Sequence, residues 1–291
     1  MISKKNFKYY SFLVYGLGLT GRSVVNFFNK NEVKNFQVWD DQNKDLYRKK
    51  RTTNLTKTLR NVDYIILSPG VSLRKSKNKK SLIKYKNKII TDLDLFFLTK
   101  KFSKSIVVTG TNGKSTTCKI LSHVLKKNNY RTVLGGNIGA PVLNLKTNKK
   151  DTAIIEASSF QLSYSKFIYP NYAILLNITN DHLDWHENMK DYINSKFKIF
   201  ANQNKYQFAL INRNFKYLFR KKKLLGKLIV PNLKKYIKIK LKMKNSYLKL
   251  HVNDENMSFV YELIKLLKIS DKNFLNSLNT FVGLPHRYEI F

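Results

Sequence analysis

The segment Ser105 to Thr117 holds the residue types that a triphosphate site needs, in the order that such a site needs them. An apolar β-branched run is followed by Gly110, Gly113, Lys114 and Ser115, and helical spacing begins there. In a strand, loop and helix of this kind, successive N–H groups converge on one point and the helix N-terminus adds partial positive charge. The lysine reaches the outer phosphates, and the hydroxyl can hold Mg²⁺. The segment therefore predicts an ATP site formed by Gly110, Thr111, Asn112, Gly113, Lys114, Ser115 and Thr116.

This loop is shorter than the general Gly-x-x-x-x-Gly-Lys-Ser/Thr pattern. That pattern would need its first glycine at Val108, whereas Gly110 stands only three residues before Gly113. A glycine turn with a chance lysine, in a chain rich in lysine, is the alternative. The complete order of strand, glycines, lysine and hydroxyl favours the phosphate site.

A second glycine loop opens the chain. Gly16-Leu-Gly-Leu-Thr-Gly lies between an apolar strand (residues 12–15) and a helical segment, and a strand at residues 36–39 ends at Asp40. Taken alone, this pattern predicts a dinucleotide-binding dehydrogenase. Ser68-Pro69-Gly70 follows another strand and is able to face a ligand, although a turn that merely connects two elements is the alternative.

Two later strands also end in chemically useful side chains. The strand at residues 153–155 delivers Glu156, and the strand at residues 172–176 leads to His182. The carboxyl ends of parallel strands share one edge of a sheet. We therefore expect the phosphate loop, Glu156 and His182 to converge there.

The alternation of strands and helices predicts an α/β protein with a mostly parallel sheet in its central P-loop domain. Residues 1–92 are expected to form a Rossmann-like domain, residues 93–284 the ATP-binding domain and residues 285–291 the start of a linker. Helices are expected at 191–200, which contains Lys196, and at 256–267. The alternating lysines within residues 214–250 predict period-2 strands with one wet face.

The composition limits the class of protein. A net charge of +37 suggests a nucleic-acid-binding protein, but the lysines are scattered without a recognition motif, which compositional drift would also produce. The single cysteine excludes an internal disulfide and fits a reducing compartment. No run approaches the roughly 18 apolar residues of a membrane span, so we expect a soluble, cytoplasmic protein without membrane insertion.

Seven motifs in order resemble those of the Mur ligases of peptidoglycan synthesis, specifically the members that add D-glutamate. They are Gly16-Leu-Gly-Leu-Thr-Gly, Ser68-Pro-Gly, Thr109-Gly-Thr-Asn-Gly-Lys-Ser-Thr, Gly135-Gly-Asn-Ile-Gly, Glu156-Ala-Ser-Ser-Phe-Gln-Leu, Asn177-Ile-Thr-Asn-Asp-His-Leu-Asp and Gly283-Leu-Pro-His-Arg. The resemblance spans essentially the whole chain. It implies a monomeric ATP- and Mg²⁺-dependent ligase that joins UDP-N-acetylmuramoyl-L-alanine to D-glutamate through an acyl phosphate, with no specific nucleic-acid partner.

The resemblance also implies residue roles. The first glycine loop would bind the UDP part of the substrate rather than NAD, and the substrate residues would be Gly18, Leu19, Thr20, Asp40, Ser68, Pro69, Gly70 and Asn137. Asp40 would face the uracil end and Asn137 the muramoyl-alanine end. Asn253 and Asn256 would contact adenine, and Arg287 the ATP phosphates. Ser115, Glu156, His182 and a carbamylated Lys196 would hold Mg²⁺, and Lys114, Lys196 and His182 would be catalytic.

The chain departs from the family pattern at three positions and at its end. Trp185 replaces a usual arginine, Asp41 a common hydroxyl residue and Val252 an expected histidine. The chain also stops where the family's third domain would begin, so we expect acyl phosphate chemistry without productive ligation. An inactive or partial UDP-sugar- and ATP-binding protein and a basic nucleic-acid-binding protein are the alternative functions.

Overall fold

The computed structural model describes residues 6–73 and 75–283, and the first of its two β-sheets has the strand order β2-β1-β3-β4. Its strands are β1 (Phe12–Tyr15), β2 (Phe36–Trp39), β3 (Tyr64–Leu67) and β4 (Ile89–Ile90), with helices α1 (Leu19–Lys30), α2 (Leu55–Asn61) and α3 (Lys79–Lys84). Successive residues of β1 enter different apolar cores, Phe12 and Val14 on one face and Leu13 and Tyr15 on the other. Burial on both faces is typical of a parallel sheet enclosed by helices.

The second sheet has six strands in the order β10-β9-β8-β5-β7-β6. Its strands are β5 (Lys104–Thr109), β6 (Thr132–Gly136), β7 (Thr152–Glu156), β8 (Tyr172–Leu175), β9 (Phe208–Ile211) and β10 (Lys227–Ile229). The helices of this part are α4 (Asp92–Thr99), α5 (Lys114–Lys127), α6 (Ser159–Tyr164), α7 (Met189–Phe197), α8 (Lys216–Lys221), α9 (Leu233–Lys240), α10 (Asp254–Leu266) and α11 (Asp271–Asn279). The predicted α/β class with parallel sheets is confirmed.

The register of the second sheet determines which residues can meet. All its strand pairs are parallel, and Glu156 of β7 pairs with Val108 of β5 on one side and Gly136 of β6 on the other. From β5 the chain passes to β6 and β7 on one side of it, and from β7 it crosses to β8 on the other side of β5. Such a switch point opens a crevice at the carboxyl ends of the strands, which is where open α/β sheets bind ligands.

Helix α4 lies between the two sheets. Its residues Phe96 and Phe97 are fully buried and belong to one apolar core that also contains Val14 of β1 and Val107 of β5. The two parts of the chain are therefore packed against a shared interior. The domain boundary at residues 92/93 stays a prediction.

The prediction of period-2 strands within residues 214–250 is wrong for most of that segment. It contains helices α8 and α9 and only the three-residue strand β10. In α9, Tyr236 and Lys240 are both buried, and residues four apart lie on the same face of a helix. Asn232 supplies the N-cap by accepting a hydrogen bond from the backbone N–H of Lys235. An alternating Lys/apolar pattern also places apolar residues four apart, so the alternation did not distinguish strand from helix.

The described surface carries most of the charge. Among the described lysines, Lys196 and Lys240 alone are buried. No helix within residues 6–73 and 75–283 is both long and apolar enough to cross a membrane.

Two buried carboxylates at the start of α4 hold this helix against α6 and the segment that follows α6. Asp94 Oδ1 accepts hydrogen bonds from the backbone N–H groups of Lys166 (2.8 Å) and Phe167 (2.6 Å). Asp92 accepts from Gln161 Nε2 at 3.3 Å. Burial raises the pKa of Asp92 to about 6, because the charged form loses solvation.

We expect the Asp92→Asn variant to change how stability depends on pH. The pKa of Asp92 is raised in the folded state, so the folded chain binds more protons than the unfolded chain between about pH 4 and pH 6. The free energy of unfolding of the wild type should therefore fall as the pH rises through this window, by up to about 3 kcal/mol relative to the variant. Urea unfolding at pH 4 and pH 6.5 measures this difference, with Asp184→Asn as the exposed control. Parallel pH profiles for the wild type and Asp92→Asn would contradict the prediction.

Candidate functional site

The phosphate loop connects β5 to α5 and requires glycine at its end. Gly113 is the N-cap of α5 with φ of +82°, and a Cβ there would lie 2.2 Å from Asn256 Nδ2. Lys114 Nζ donates hydrogen bonds to the carbonyl oxygens of Gly110 (3.0 Å) and Thr111 (2.7 Å). The Lys114 side chain thus folds back onto the loop and binds its carbonyl oxygens, at the site where it was predicted to reach the outer phosphates.

Two residues outside the loop hold its backbone in place. The backbone N–H of Thr111 donates to the carbonyl oxygen of Asn177, and that of Asn112 donates to Asn177 Oδ1 at 2.9 Å. The hydroxyl of Thr111 lies 3.0 Å from that of Tyr192. Asn177 belongs to a motif seen in the sequence, but nothing in the sequence singled out Tyr192. Thr116, the last predicted loop residue, is buried in α5.

Glu156 connects the loop to the neighbouring strand end. Its Oε2 accepts a hydrogen bond from Ser115 Oγ at 2.8 Å, and its Oε1 accepts one from Asn137 Nδ2 at 2.9 Å. The residue is 2% exposed. The predicted meeting of Ser115 and Glu156 at one sheet edge is therefore present, and Asn137 joins them.

His182 and Lys196 come from the chain that follows β8, which pairs with β5 on the side opposite to β7. Lys196 Nζ donates to the carbonyl oxygen of Gly110 at 2.8 Å and lies 4.4 Å from the centroid of the Tyr192 ring. Burial, together with the charge of Lys114, lowers the pKa of Lys196 to about 7. The exposed His182 packs its ring 4.9 Å from that of Phe160.

The donor set at the loop fits Mg²⁺. A hydroxyl and a carboxylate, the hard oxygen donors that this ion prefers, meet between Ser115 and Glu156. Within residues 6–73 and 75–283, no three His, Cys, Asp or Glu side chains form a group that could hold a metal ion. The hydroxyl of Ser115 and the carboxylate of Glu156 are the groups at this loop that would hold Mg²⁺, together with phosphate oxygens and water.

A cleft of about 860 Å³ opens between the carboxyl edges of the two sheets. All eight residues predicted to contact substrate line it, namely Gly18, Leu19, Thr20, Asp40, Ser68, Pro69, Gly70 and Asn137. Because Asn137 also bonds to Glu156, the cleft and the phosphate loop meet at one side chain. This is the arrangement needed to bring a group held in the cleft towards a phosphate held by the loop.

Asp40 supports the first glycine loop with its carboxylate. It accepts hydrogen bonds from the backbone N–H groups of Leu17 (2.5 Å), Gln42 (2.8 Å) and Asn43 (2.8 Å). Burial opposes ionisation, but these hydrogen bonds outweigh it and hold the pKa of Asp40 below its usual value. The side chain thus lines the cleft while its oxygens fix the backbone around it.

The predicted adenine residues lie at the start of α10. Asn253 is buried and its Nδ2 donates to the carbonyl oxygen of Tyr247, while Asn256 packs against Gly113. Between them, Asp254 forms an ion pair with Lys240 at 2.5 Å, with both side chains about one-tenth exposed. The sequence did not indicate this pair. Arg287 lies outside the described residues.

Two family profiles match the chain. The Mur ligase middle domain matches residues 108–280, and the Mur ligase MurD-like N-terminal domain matches residues 10–89. The UDP-N-acetylmuramoylalanine–D-glutamate ligase of Rickettsia prowazekii is 36% identical over 307 residues, which covers 95% of this chain and 67% of that protein. The chain belongs to the Mur ligase family, as the order of its motifs predicted. It spans about two thirds of the length of this relative.

Solved structures support the same fold. The UDP-N-acetylmuramate:L-alanyl-γ-D-glutamyl-meso-diaminopimelate ligase of Neisseria meningitides has a TM-score of 0.54 at 12% identity, and covers 94% of this chain and 99% of that one. The MurF ligase of Thermotoga maritima was solved in complex with ADP. It has a TM-score of 0.50 at 16% identity, and the match covers 94% of this chain and 64% of that one. At these identities the likeness concerns the fold.

We expect Asp254→Asn to destabilise the start of α10, because it leaves the buried ammonium of Lys240 without a counter-charge. Removing one partner of a buried pair costs about 3 kcal/mol or more. Urea unfolding measures this loss. The matched control is Asp271→Asn, which removes the half-exposed pair with Lys265 (3.4 Å) and should cost less than about 1 kcal/mol. If both variants lose the same free energy of unfolding, the buried pair contributes no more to stability than the half-exposed pair.

Proposed function

We propose that this chain is an ATP-dependent ligase of peptidoglycan synthesis, which activates the carboxylate of UDP-N-acetylmuramoyl-L-alanine as an acyl phosphate and joins it to D-glutamate with release of ADP. The observation that carries the proposal is the double hydrogen bonding of Glu156 to Ser115 of the phosphate loop and to Asn137 of the cleft. The name of the Rickettsia relative supports the choice of substrates.

ATP occupies the phosphate loop in this proposal. The N–H groups at the N-terminus of α5, which begins at Lys114, face the phosphates, and Lys114 leaves its carbonyl partners to neutralise the β and γ phosphates. Asn253 and Asn256 contact adenine, and Arg287 contacts the phosphates. The Thermotoga ligase, which shares this fold and was solved in complex with ADP, supports a nucleotide ligand for this chain.

The UDP-linked substrate occupies the cleft. Gly18, Leu19 and Thr20 begin α1, so the N–H groups at this helix end suit a diphosphate. Asp40 lies at the uracil end and Asn137 at the muramoyl-alanine end, beside Glu156. The carboxylate to be activated then points from the cleft towards the γ phosphate. We place the protein in the cytoplasm as a monomer, with a role in cell wall growth, cell shape and division.

The reaction follows from this placement. A carboxylate oxygen of the substrate bonds to the γ phosphorus while the bond to the bridging oxygen of ADP breaks. The amine of D-glutamate then bonds to the carbonyl carbon, phosphate leaves, and the nitrogen gives up a proton. Lys114 stabilises charge on the transferred group. Ser115, Glu156, His182 and Lys196 would hold Mg²⁺, which supplies positive charge that stabilises the phosphoryl transfer and the tetrahedral intermediate.

Isotope exchange within ATP tests the first half of this reaction without requiring the second. Reversible acyl phosphate formation moves ¹⁸O from the β,γ-bridge of ATP to non-bridging positions, and this should depend on both UDP-N-acetylmuramoyl-L-alanine and Mg²⁺. Lys114→Ala should lower the exchange rate by about 100-fold or more. Lys126→Ala changes an exposed lysine near the end of the same helix and should leave the exchange rate unchanged.

A protein that binds neither Mg-ATP nor the UDP-linked substrate would overturn the proposed function. Steep salt-dependent DNA binding that Lys114→Ala leaves unchanged would favour the basic nucleic-acid-binding alternative.

Lys196 is the proposed carbamylated residue. It is 1% exposed, its amine bonds to the carbonyl of Gly110, and it has no carboxylate within 4 Å in the described part of the chain. The ammonium first loses one proton; the neutral amine then forms an N–C bond with CO₂ and releases a second proton, which turns the buried cation into a carbamate anion whose oxygens can bind Mg²⁺.

We expect ¹³C-bicarbonate to give a carbamate signal in the NMR spectrum of the wild-type protein. The Lys196→Arg variant should lose this signal, because its guanidinium stays protonated. Lys198→Arg is the matched control, since burial also lowers the pKa of that nearby lysine. If the signal persists in Lys196→Arg, or is lost only in Lys198→Arg, Lys196 is not the carbamylated residue and its assignment as a Mg²⁺ ligand is wrong.

A further inference from the structure

The aromatic cluster beside the phosphate loop reaches the wall of the substrate cleft through one residue, Trp185. We define this cluster as Phe160, Tyr164, His182, Trp185, His186 and Tyr192. The Trp185 ring lies with its centroid 4.7 Å from that of Phe160 and 4.7 Å from that of His186. Of the six, Trp185 is the member that lines the cleft. The Trp185 ring therefore gives the cleft a firmly packed aromatic surface from the part of the chain that contains the second sheet.

Hydrogen bonding within the fold does not explain the position of this ring. The indole Nε1 is shielded from solvent and has no acceptor among residues 6–73 and 75–283. A buried donor without a partner costs about 1–3 kcal/mol, so each such group in a native structure needs a reason. The side chain is held by its ring contacts alone, and those contacts leave part of it on the cleft wall.

The position along the cleft identifies the part of a ligand that Trp185 would meet. Gly18 and Thr20 of the first glycine loop belong to the first part of the chain, whereas Trp185 and Asn137 line the cleft from the second part. Asn137 bonds to Glu156, and Trp185 is connected through His186 and Tyr192 to Thr111 of the phosphate loop, so both residues belong to the reacting end rather than the uracil end. Between a diphosphate at the α1 N-terminus and a carboxylate near Glu156, the UDP-linked substrate has its sugar ring.

We propose that Trp185 is a specificity-determining substrate-binding residue, whose ring packs against the apolar face of the amino-sugar of the UDP-linked substrate. This inference rests on the proposed function. A pyranose ring presents C–H groups on its faces and hydroxyl groups at its edge, so an aromatic ring covers the face and leaves the polar edge free. A ring fixed by Phe160 and His186 gives this contact without loss of side-chain freedom on binding.

The fluorescence of Trp185 provides a direct readout of this contact. The chain contains two tryptophans, so the Trp39→Phe variant emits from Trp185 alone. We expect UDP-N-acetylmuramoyl-L-alanine and UDP-N-acetylglucosamine to shift or quench this emission, whereas UDP alone leaves it unchanged. An equal response to UDP, or no response to either sugar nucleotide while calorimetry records their binding, would overturn the proposal.

Kinetics of the isotope exchange separate a binding role from a structural one. Trp185→Ala should raise KM for the UDP-linked substrate about 10-fold, with much smaller changes in KM for ATP and in the maximal rate. Trp185→Phe should restore most of the loss, because it keeps an aromatic face. With a merely structural role, Trp185→Ala would instead lower the maximal rate and raise KM for ATP, because Tyr192 supports Thr111 of the phosphate loop.

An unchanged KM for the UDP-linked substrate in an active Trp185→Ala protein refutes this inference alone. A wild type that binds no UDP-linked substrate refutes the proposed function.

Discussion

The arrangement of the site depends on the two hydrogen bonds that Glu156 accepts at the end of β7. Parallel register places this residue between Val108, which leads into the phosphate loop, and Gly136, which leads to Asn137. A Cβ at Gly136, where φ is +113°, would lie 2.2 Å from the carbonyl oxygen of Glu156. Only glycine permits this close approach of β6 to β7. Glycine at this position lets Asn137 follow directly beside Glu156, so the cleft and the loop share one carboxylate.

The features of the site that could be predicted from the sequence are those set by local backbone demands. Gly110 and Gly113 mark a loop, and Glu156 follows a strand, so strand, turn and helix order alone indicates one shared edge. Tyr192 could not be found in this way, and Trp185 stood out only as a departure from the family pattern. Each acts through a contact made across the fold, with Thr111 in one case and Phe160 in the other, and no spacing in the sequence records such a contact.

Lysine shows the limit of sequence patterns most clearly. The chain carries 55 Lys and Arg residues, so a single lysine has little meaning by type or spacing. Burial separates Lys196 and Lys240 from the other described lysines, and their surroundings then differ. Lys240 faces Asp254, so that pair is a structural one that holds the start of α10. Lys196 faces a carbonyl and a ring, which leaves its charge poorly compensated. The alternating lysines of α9 fit the helix period as well as the strand period, which is why the sequence pattern did not predict this helix.

The aromatic cluster places the cleft wall and the phosphate loop in one packed unit. Trp185 contacts His186, His186 lies 5.0 Å from Tyr192, and the Tyr192 hydroxyl bonds to that of Thr111. Burial and the neighbouring charges of Lys196 and His182 lower the pKa of His186 to about 4, so this link is neutral near pH 7. A neutral, close-packed link transmits displacement rather than charge. A substrate that packs on the Trp185 ring without displacing it therefore leaves the support of Thr111 unchanged. Only displacement of the ring would couple the substrate to ATP by this route, and that coupling free energy would be equal in both directions.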